Sequence, residues 1–265
     1  MPGDPRDLTR KLRAPARGAS FLGWTAVMLA AVESHKLIDR GLGASDEQEQ
    51  IFERYMKTWT AGILRLIAVD VTVVGELPPP PSGPRLVVSN HRTAVDIPLL
   101  LTYFGGSVLS RADLETWPLL GLAAQKAQTI FVDRESKHSG AQAIRAMRAQ
   151  LQRGRTICVF PEGTTHAGDE VRPFNAGAFA ASRKLGVEYL PVGLAYPPGS
   201  EFTADSFLDH AASFAGRRRT PVAMAVGAPL QISGRAAAVR DQVHAEVQRL
   251  VDQARAALDR SQRPA

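Results

Sequence analysis

His91 and Asp96, with four residues between them, are the pair in this chain best equipped to move a proton. Histidine is the side chain suited to proton transfer near neutral pH. A carboxylate beside it fixes the tautomer and stabilises the protonated form. Such a pair can deprotonate an alcohol with no serine or cysteine nucleophile. Spacing alone does not bring the two together. On a continuous helix five residues turn about 500°, so the side chains would not share a face. They meet only if the chain leaves a strand, turns and then enters a helix. Leu86-Val87-Val88 reads as a buried strand ending at Ser89, and Thr93 reads as the N-cap of the next helix. The alternative at this point is a polar strand-end loop with a helix-capping residue.

Two further strand exits carry polar chemistry. Val159-Phe160 runs into Pro161-Glu162-Gly163-Thr164-Thr165. A strand ending in such a turn presents a carboxylate and backbone N–H groups at the sheet edge, where they can hold an anion or a developing oxyanion. An ordinary turn with an incidental glutamate is the competing reading. Ile130-Phe131-Val132-Asp133 runs into Arg134, which can grip a phosphate bidentately or pair with Glu162 or Glu135. Ligands of open α/β sheets collect outside strand ends.

The elements that must position these residues alternate. Strands are predicted at Val69–Val74, Leu86–Ser89, Ser107–Ser110, Thr129–Asp133, Thr156–Phe160, Tyr189–Ala195 and Val222–Val226. Helices are predicted over Val95–Phe104, Ser139–Gln152, Asn175–Lys184 and Ala236–Leu258, with Gly154 and Gly186 as stops. The fold class is therefore α/β: a single layered domain, residues 71–265, with a central, largely buried sheet flanked by helices. Residues 1–17 are expected to form a mobile basic tail. Residues 18–70 are expected to form a helix pair, the first helix over Ser20–Arg40 and the second opened by a capping box at Ser45-Asp46-Glu47-Gln48. From periodicity alone this pair packs on the core. The arginines ahead of it favour an anionic membrane surface. The apolar run Phe21–Val32 falls short of the about 20 residues needed to span a bilayer. A signal peptide and a helix lying in one leaflet are its other readings.

The chain carries a formal charge of +6 and a pI near 9.8, which suits anionic lipids, nucleic acid or acidic substrates. Its single cysteine, Cys158, excludes an intramolecular disulfide and reads as a small buried hydrophobe. No zinc-type cysteine cluster, phosphate-binding loop, G-x-S-x-G elbow or dinucleotide fingerprint is present. His138 and His166 lack ligand spacing, so no metal is expected. Arg217-Arg218-Arg219 lacks the aromatic platform of a nucleic-acid site, so no nucleic-acid partner is expected.

Taken in order, the motifs resemble those of the glycerolipid acyltransferase family, which includes the bacterial 1-acylglycerol-3-phosphate acyltransferases. Asn90-His91-x4-Asp96 matches the family's first motif. Phe131-Val132-Asp133-Arg134 resembles its second, Phe160-Pro161-Glu162-Gly163-Thr164 matches its third and Leu190-Pro191-Val192-Gly193 resembles its fourth. The resemblance spans about residues 69–230. It implies His91 as general base oriented by Asp96, with an acceptor hydroxyl attacking the thioester of acyl-CoA or acyl-carrier protein. It implies a substrate site built by Asn90, Arg134, Glu162, Gly163 and Thr164, and Pro191 near the acyl donor. No covalent acyl-enzyme, metal or other cofactor is implied. A lysolipid acceptor follows, with 1-acyl-sn-glycerol-3-phosphate first and lyso-ornithine lipid or another lysophospholipid as the alternative. Residues 18–70 become a membrane-docking motif, placing the enzyme at the cytoplasmic face of the membrane as a peripheral or monotopic protein. Departures bear on the acceptor. Thr165 stands where lysophosphatidate enzymes often carry arginine, and Asn175 where they often carry lysine. A lipid hydrolase using the same pair on water, and a non-catalytic lipid-binding protein, are the rival classes.

Overall fold

A computed structural model describes residues 5–42, 48–111, 115–116, 120–126, 129–132, 139–203 and 206–262. Two helices, α1 (Pro5–Leu42) and α2 (Gln48–Leu66), precede the strands β1 (Val69–Val74) and β2 (Arg85–Ser89). Then follow α3 (Asp96–Phe104), β3 (Ser107–Arg111), α4 (Leu120–Lys126), β4 (Ile130–Val132), α5 (Ser139–Gln152), β5 (Thr156–Val159) and α6 (Gly177–Ser182). The chain continues with β6 (Glu188–Ala195), α7 (Phe207–Gly216), β7 (Thr220–Val226), β8 (Leu230–Gln231) and α8 (Ala236–Ser261). The sheet runs in the order β1-β7-β6-β2-β5-β3-β4, with β8 beside β6.

The strands β6, β2, β5, β3 and β4 are mutually parallel. Their C-terminal ends therefore open at one edge. β7 runs antiparallel to β6, and β1 runs parallel to β7. β2 is buried at all five positions, as a parallel strand covered on both faces must be. Val87, Leu190, Val192 and Leu194 face a layer made by α2, α3 and α7. Leu86, Val88, Ile157 and Tyr189 face α5, α6 and α8. Gly193 in β6 allows α8 to lie against the sheet, because a Cβ there would enter the Leu250–Val251 backbone.

The sheet and its flanking helices match the expected class, and the structure adds α4, α7 and β8. It also alters the N-terminal third. The tail expected to be mobile is helical from Pro5 onward, continuous with the rest of α1 despite Pro15. Arg13 donates to Gly216 O at 3.0 Å, and Arg17 donates to Ala215 O at 3.0 Å and Arg217 O at 2.6 Å. These are the carbonyls at the C-terminal end of α7, which a helix leaves without partners and which favour cations. The boundary at 70/71 falls inside β1. The capping box lies mostly outside the described residues.

The helix pair is packed and exposed at once. Met56 and Leu64 of α2 are part of the core layer, and Thr102 of α3 donates to Thr60 of α2 at 2.9 Å. Trp24 Nε1 donates to Trp59 O at 3.0 Å, and Trp59 Nε1 donates to Thr25 Oγ1 at 3.1 Å. α1 buries Thr25, Met28 and Val32, while Leu12, Leu22, Val27, Leu37 and Ile38 stand exposed. At about 100° per residue those two sets lie on opposite sides of the helix. Among the described residues no helix is long and apolar enough to cross a membrane.

Candidate active site

The site forms where β2, β5 and β6 end side by side. β2 stops at Ser89, and Asn90 continues its pairing with side-chain atoms. Asn90 Nδ2 donates to Leu194 O at 2.9 Å, and Leu194 N donates to Asn90 Oδ1 at 2.8 Å. Asn90 is fully buried and registers β2 against β6. The chain then turns through Thr93–Val95 and enters α3 at Asp96. The cap is Val95, two residues beyond the Thr93 expected from sequence, and no side chain caps it; Asp96, the first helical residue, instead folds back onto the turn before the helix. Its Oδ2 accepts from Arg92 N at 2.6 Å and Thr93 N at 2.9 Å.

That turn brings His91 to Asp96. His91 Nδ1 lies 2.8 Å from Asp96 Oδ2. A carboxylate only accepts, so Nδ1 carries a proton, and in the neutral imidazole Nε2 is the nitrogen left with a lone pair. Asp96 is wholly buried, whereas the His91 side chain is 14% exposed. The imidazole stacks on Phe160, with centroids 4.2 Å apart and planes 16° from parallel. The second Asp96 oxygen, Oδ1, accepts from the Tyr196 hydroxyl at 2.6 Å. Burial above all, and then the charge and hydrogen bond of Asp96, push the Tyr196 phenol well above its ordinary value, so it remains a donor.

Glu162, at the exit of β5, grips the His91 main chain. Its Oε2 accepts from His91 N at 2.5 Å, and Arg92 Nη1 donates to both carboxylate oxygens at 3.0 and 3.1 Å. Oε1 also accepts from Arg172 N at 2.8 Å. The same Arg92 guanidinium donates to His91 O at 2.8 Å, Gly168 O at 2.6 Å and Glu170 O at 2.8 Å. His166 N adds a bond to His91 O at 3.2 Å. Glu162 thus faces a buried ion pair with Arg92 rather than open headgroup space. Gly163 takes a positive φ of 83°, and a Cβ there would meet Asn175 Nδ2 at 2.9 Å. Thr164 is exposed on the rim. Thr165 Oγ1 donates to Phe202 O at 2.5 Å, and Phe202 N donates to Arg92 O at 2.8 Å, closing the loop after β6 onto the corner.

His91, Asp96, Asn90, Glu162, Gly163 and Thr164 therefore converge. Pro191 does not, because it sits inside β6 beside Val88, four positions before the strand's end. Arg134 lies outside the described residues. Sequence reasoning missed Arg92, Tyr196 and His210. His210 of α7 lies 2.7 Å from Thr93 Oγ1 and stacks on Phe202. Burial first, then the Arg217 charge, lower its pKa, with Asp96 pulling the other way. A usable signal existed for Tyr196 alone: a phenol one residue beyond a strand whose exit shares the edge with His91. The corner can accept a proton at Nε2 of a partly exposed imidazole and hold the resulting charge through Nδ1 and a buried carboxylate.

The known proteins that this chain resembles are acyltransferases. A protein-family model described as Acyltransferase matches residues 70–195. A lyso-ornithine lipid O-acyltransferase from Pseudomonas aeruginosa is 36% identical over 186 residues, covering 70% of each chain. A 1-acyl-sn-glycerol-3-phosphate acyltransferase from Neisseria meningitidis is 32% identical over 135 residues, covering 51% of this chain and 52% of that relative. The chain thus spans about half the length of this second relative. The crystal structure of the 1-acyl-sn-glycerophosphate acyltransferase PlsC from Thermotoga maritima matches with a TM-score of 0.64 at 21% identity, over 94% of this chain and 99% of that one, and shares its fold. With a relative of this identity and coverage, and the four motifs in the family's order along the sequence, the chain belongs to the glycerolipid acyltransferase family.

Proposed function

We propose that this protein transfers a fatty acyl group from a thioester donor, acyl-CoA or acyl-carrier protein, to the free hydroxyl of a lysolipid. The observation carrying this reading is the His91 Nδ1–Asp96 Oδ2 hydrogen bond, which leaves Nε2 as the basic atom at the exposed corner. In this mechanism Nε2 takes the hydroxyl proton as the oxygen attacks the thioester carbonyl. Backbone N–H groups of the loop after Glu162 stabilise the oxyanion. The tetrahedral intermediate expels the thiolate, which recovers the proton from His91. His91→Ala should abolish transfer while leaving the circular dichroism spectrum and melting temperature close to wild type. A folded His91→Ala protein with full transferase activity refutes the general-base role.

The motif order points to 1-acyl-sn-glycerol-3-phosphate as acceptor, giving phosphatidate. A specific observation favours a second acceptor, lyso-ornithine lipid. Thr165 and Asn175, at the positions where lysophosphatidate enzymes often carry cations, spend their side chains on Phe202 O and Pro161 O. The relative aligned over 70% of its length is named for that substrate. A transfer assay with both lysolipids and both donor classes decides between them. Use of lyso-ornithine lipid with none of lysophosphatidate overturns the first acceptor, and the reverse result overturns the second.

We assign the exposed apolar side of α1 to the surface of an anionic membrane, with the enzyme peripheral or monotopic at the cytoplasmic face. Deleting residues 1–70 would strip Met56 and Leu64 from the core and remove the start of β1. Exchanging Leu12, Leu22, Val27, Leu37 and Ile38 for glutamine is the cleaner test. The variant should no longer sediment with phosphatidylglycerol vesicles, and undiminished sedimentation overturns the assignment.

A further inference from the structure

Asp96 divides its two oxygens between different tasks. Oδ2 accepts from His91 Nδ1, Arg92 N and Thr93 N, whereas Oδ1 accepts from Tyr196 alone among the described residues. Tyr196 is itself held in place. Two residues earlier, the Asn90–Leu194 bonds fix β6 against β2, and alternation along the strand puts Leu194 and Tyr196 on the same face. The Tyr196 ring meets Phe214 edge-on at 6.5 Å. Arg255 of α8 donates to Tyr196 O at 2.7 Å and grips Asp169 through Nε at 2.7 Å and Nη2 at 2.8 Å. A chain of bonded groups therefore runs from the last helix to the catalytic corner.

We propose that Tyr196 is a positioning residue for the His91–Asp96 pair, aiming Asp96 Oδ2 at His91 and drawing part of the carboxylate charge away from the imidazole. This rests on the general-base reading of His91. Without the phenol, Oδ1 becomes a buried acceptor with no donor, and more of the negative charge faces His91. Both effects raise the pair's affinity for a proton, so they act in one direction. The charged and titratable groups around the pair are Arg92 on the same turn, Glu162 from the exit of β5, and His210 and Arg217 from the α7 side. Tyr196→Phe leaves all four in place.

The test compares Tyr196→Phe with wild type in two measurements. Histidine-labelled protein is titrated by NMR, with the His91 resonance assigned from a His91→Gln sample. Steady-state transfer is followed across pH. The His91 midpoint should rise by about one pH unit, as expected for losing one hydrogen bond to a buried charge. The acid limb of kcat/KM should move up with it. kcat should fall about tenfold while KM for the lysolipid changes little. An unchanged His91 midpoint in folded Tyr196→Phe overturns the proposal. The NMR reading needs no turnover, so absence of transferase activity in wild type would sink the functional reading while still deciding this one. If Tyr196→Phe does not fold, Arg255→Met frees the Tyr196 carbonyl with the ring retained. It should move the His91 midpoint in the same direction by a smaller amount, and an unmoved midpoint there overturns the proposal equally.

Discussion

Replacing Glu162 with glutamine separates a clamp from a headgroup contact. The Glu162 side chain is fully buried and that of Arg92 is 3% exposed, so the pair is screened from water. Removing one partner of a buried ion pair costs roughly 3–5 kcal/mol, because the other charge is left uncompensated. Arg92 keeps three carbonyl acceptors, those of His91, Gly168 and Glu170, which moves the loss toward the lower bound. Glutamine raises it again. His91 N and Arg172 N now donate to different carboxylate oxygens, and an amide can accept only one of those bonds. The expected loss is therefore about 3–4 kcal/mol. At roughly 2–4 °C per kcal/mol for a domain of this size, the melting temperature should fall by at least about 6 °C. Urea unfolding followed by circular dichroism should show a lower midpoint with an unchanged slope. Because Glu162 holds the His91 peptide, kcat should fall as well. A Glu162→Gln protein melting within about 2 °C of wild type, with KM for the lysolipid raised and kcat intact, refutes the clamp and restores Glu162 as a headgroup ligand.

Three other perturbations follow from the same structure. His210 resists in the folded state a proton that the unfolded chain accepts near its ordinary value of 6.5. Its contribution is therefore complete above that pH and is lost as pH falls from 6.5 through the depressed folded value. His210→Asn should flatten the acid slope of stability measured by urea unfolding between pH 7 and 5, and an unchanged slope counts against the assignment. Burial pushes the Cys158 thiol up to about 12, so it should ignore a disulfide reagent at pH 8 in native protein and react at once in urea. Gly193→Ala should force α8 off β6 and destabilise the fold by several kcal/mol, whereas Gly154→Ala, with open space around it and only a positive φ to oppose, should cost less.

The sheet was legible because its central strands are short apolar runs, Leu86–Val88, Ile157–Val159 and Leu190–Leu194, bounded by turn residues and separated by helix-period segments. α5 is also plain, since its apolar positions recur at helical spacing between Ser139 and Gly154. Within the site, His91 and Asp96 could be found because the pair is local. The remaining contacts are not local. Tyr196 and Asp96 are 100 residues apart, Arg92 and Glu162 are 70 apart, and His210 and Thr93 are 117 apart. No periodicity records such pairings. α1 misled for a different reason. Its first turns are charged and interrupted by Pro15 and Gly18, and what orders them is a tertiary contact with the end of α7. Pro191 and Glu162 were found along the chain, but their surroundings, the interior of β6 and a buried pair with Arg92, were not legible, because a motif marks a position without saying which way its side chain points.

The distribution of bonds at the corner also bears on where acceptor choice is encoded. Asn90, Arg92, Thr93, Asp96 and Glu162 all spend their polar atoms inside the protein, and each is buried. Changing any of them alters the geometry of His91 before it alters what His91 meets. The exposed surroundings are different. Thr164 stands on the rim, and the Arg172 side chain is half exposed, with Glu170 at 3.9 Å as its ion-pair partner among the described residues. Phe202 is tied to the corner through its bonds with Arg92 and Thr165. A phosphate and an amino-acid headgroup differ in charge and shape at a distance from the hydroxyl that reacts. On the proposed mechanism proton transfer demands a fixed corner, and among the described residues this rim is where a side chain can change without moving His91.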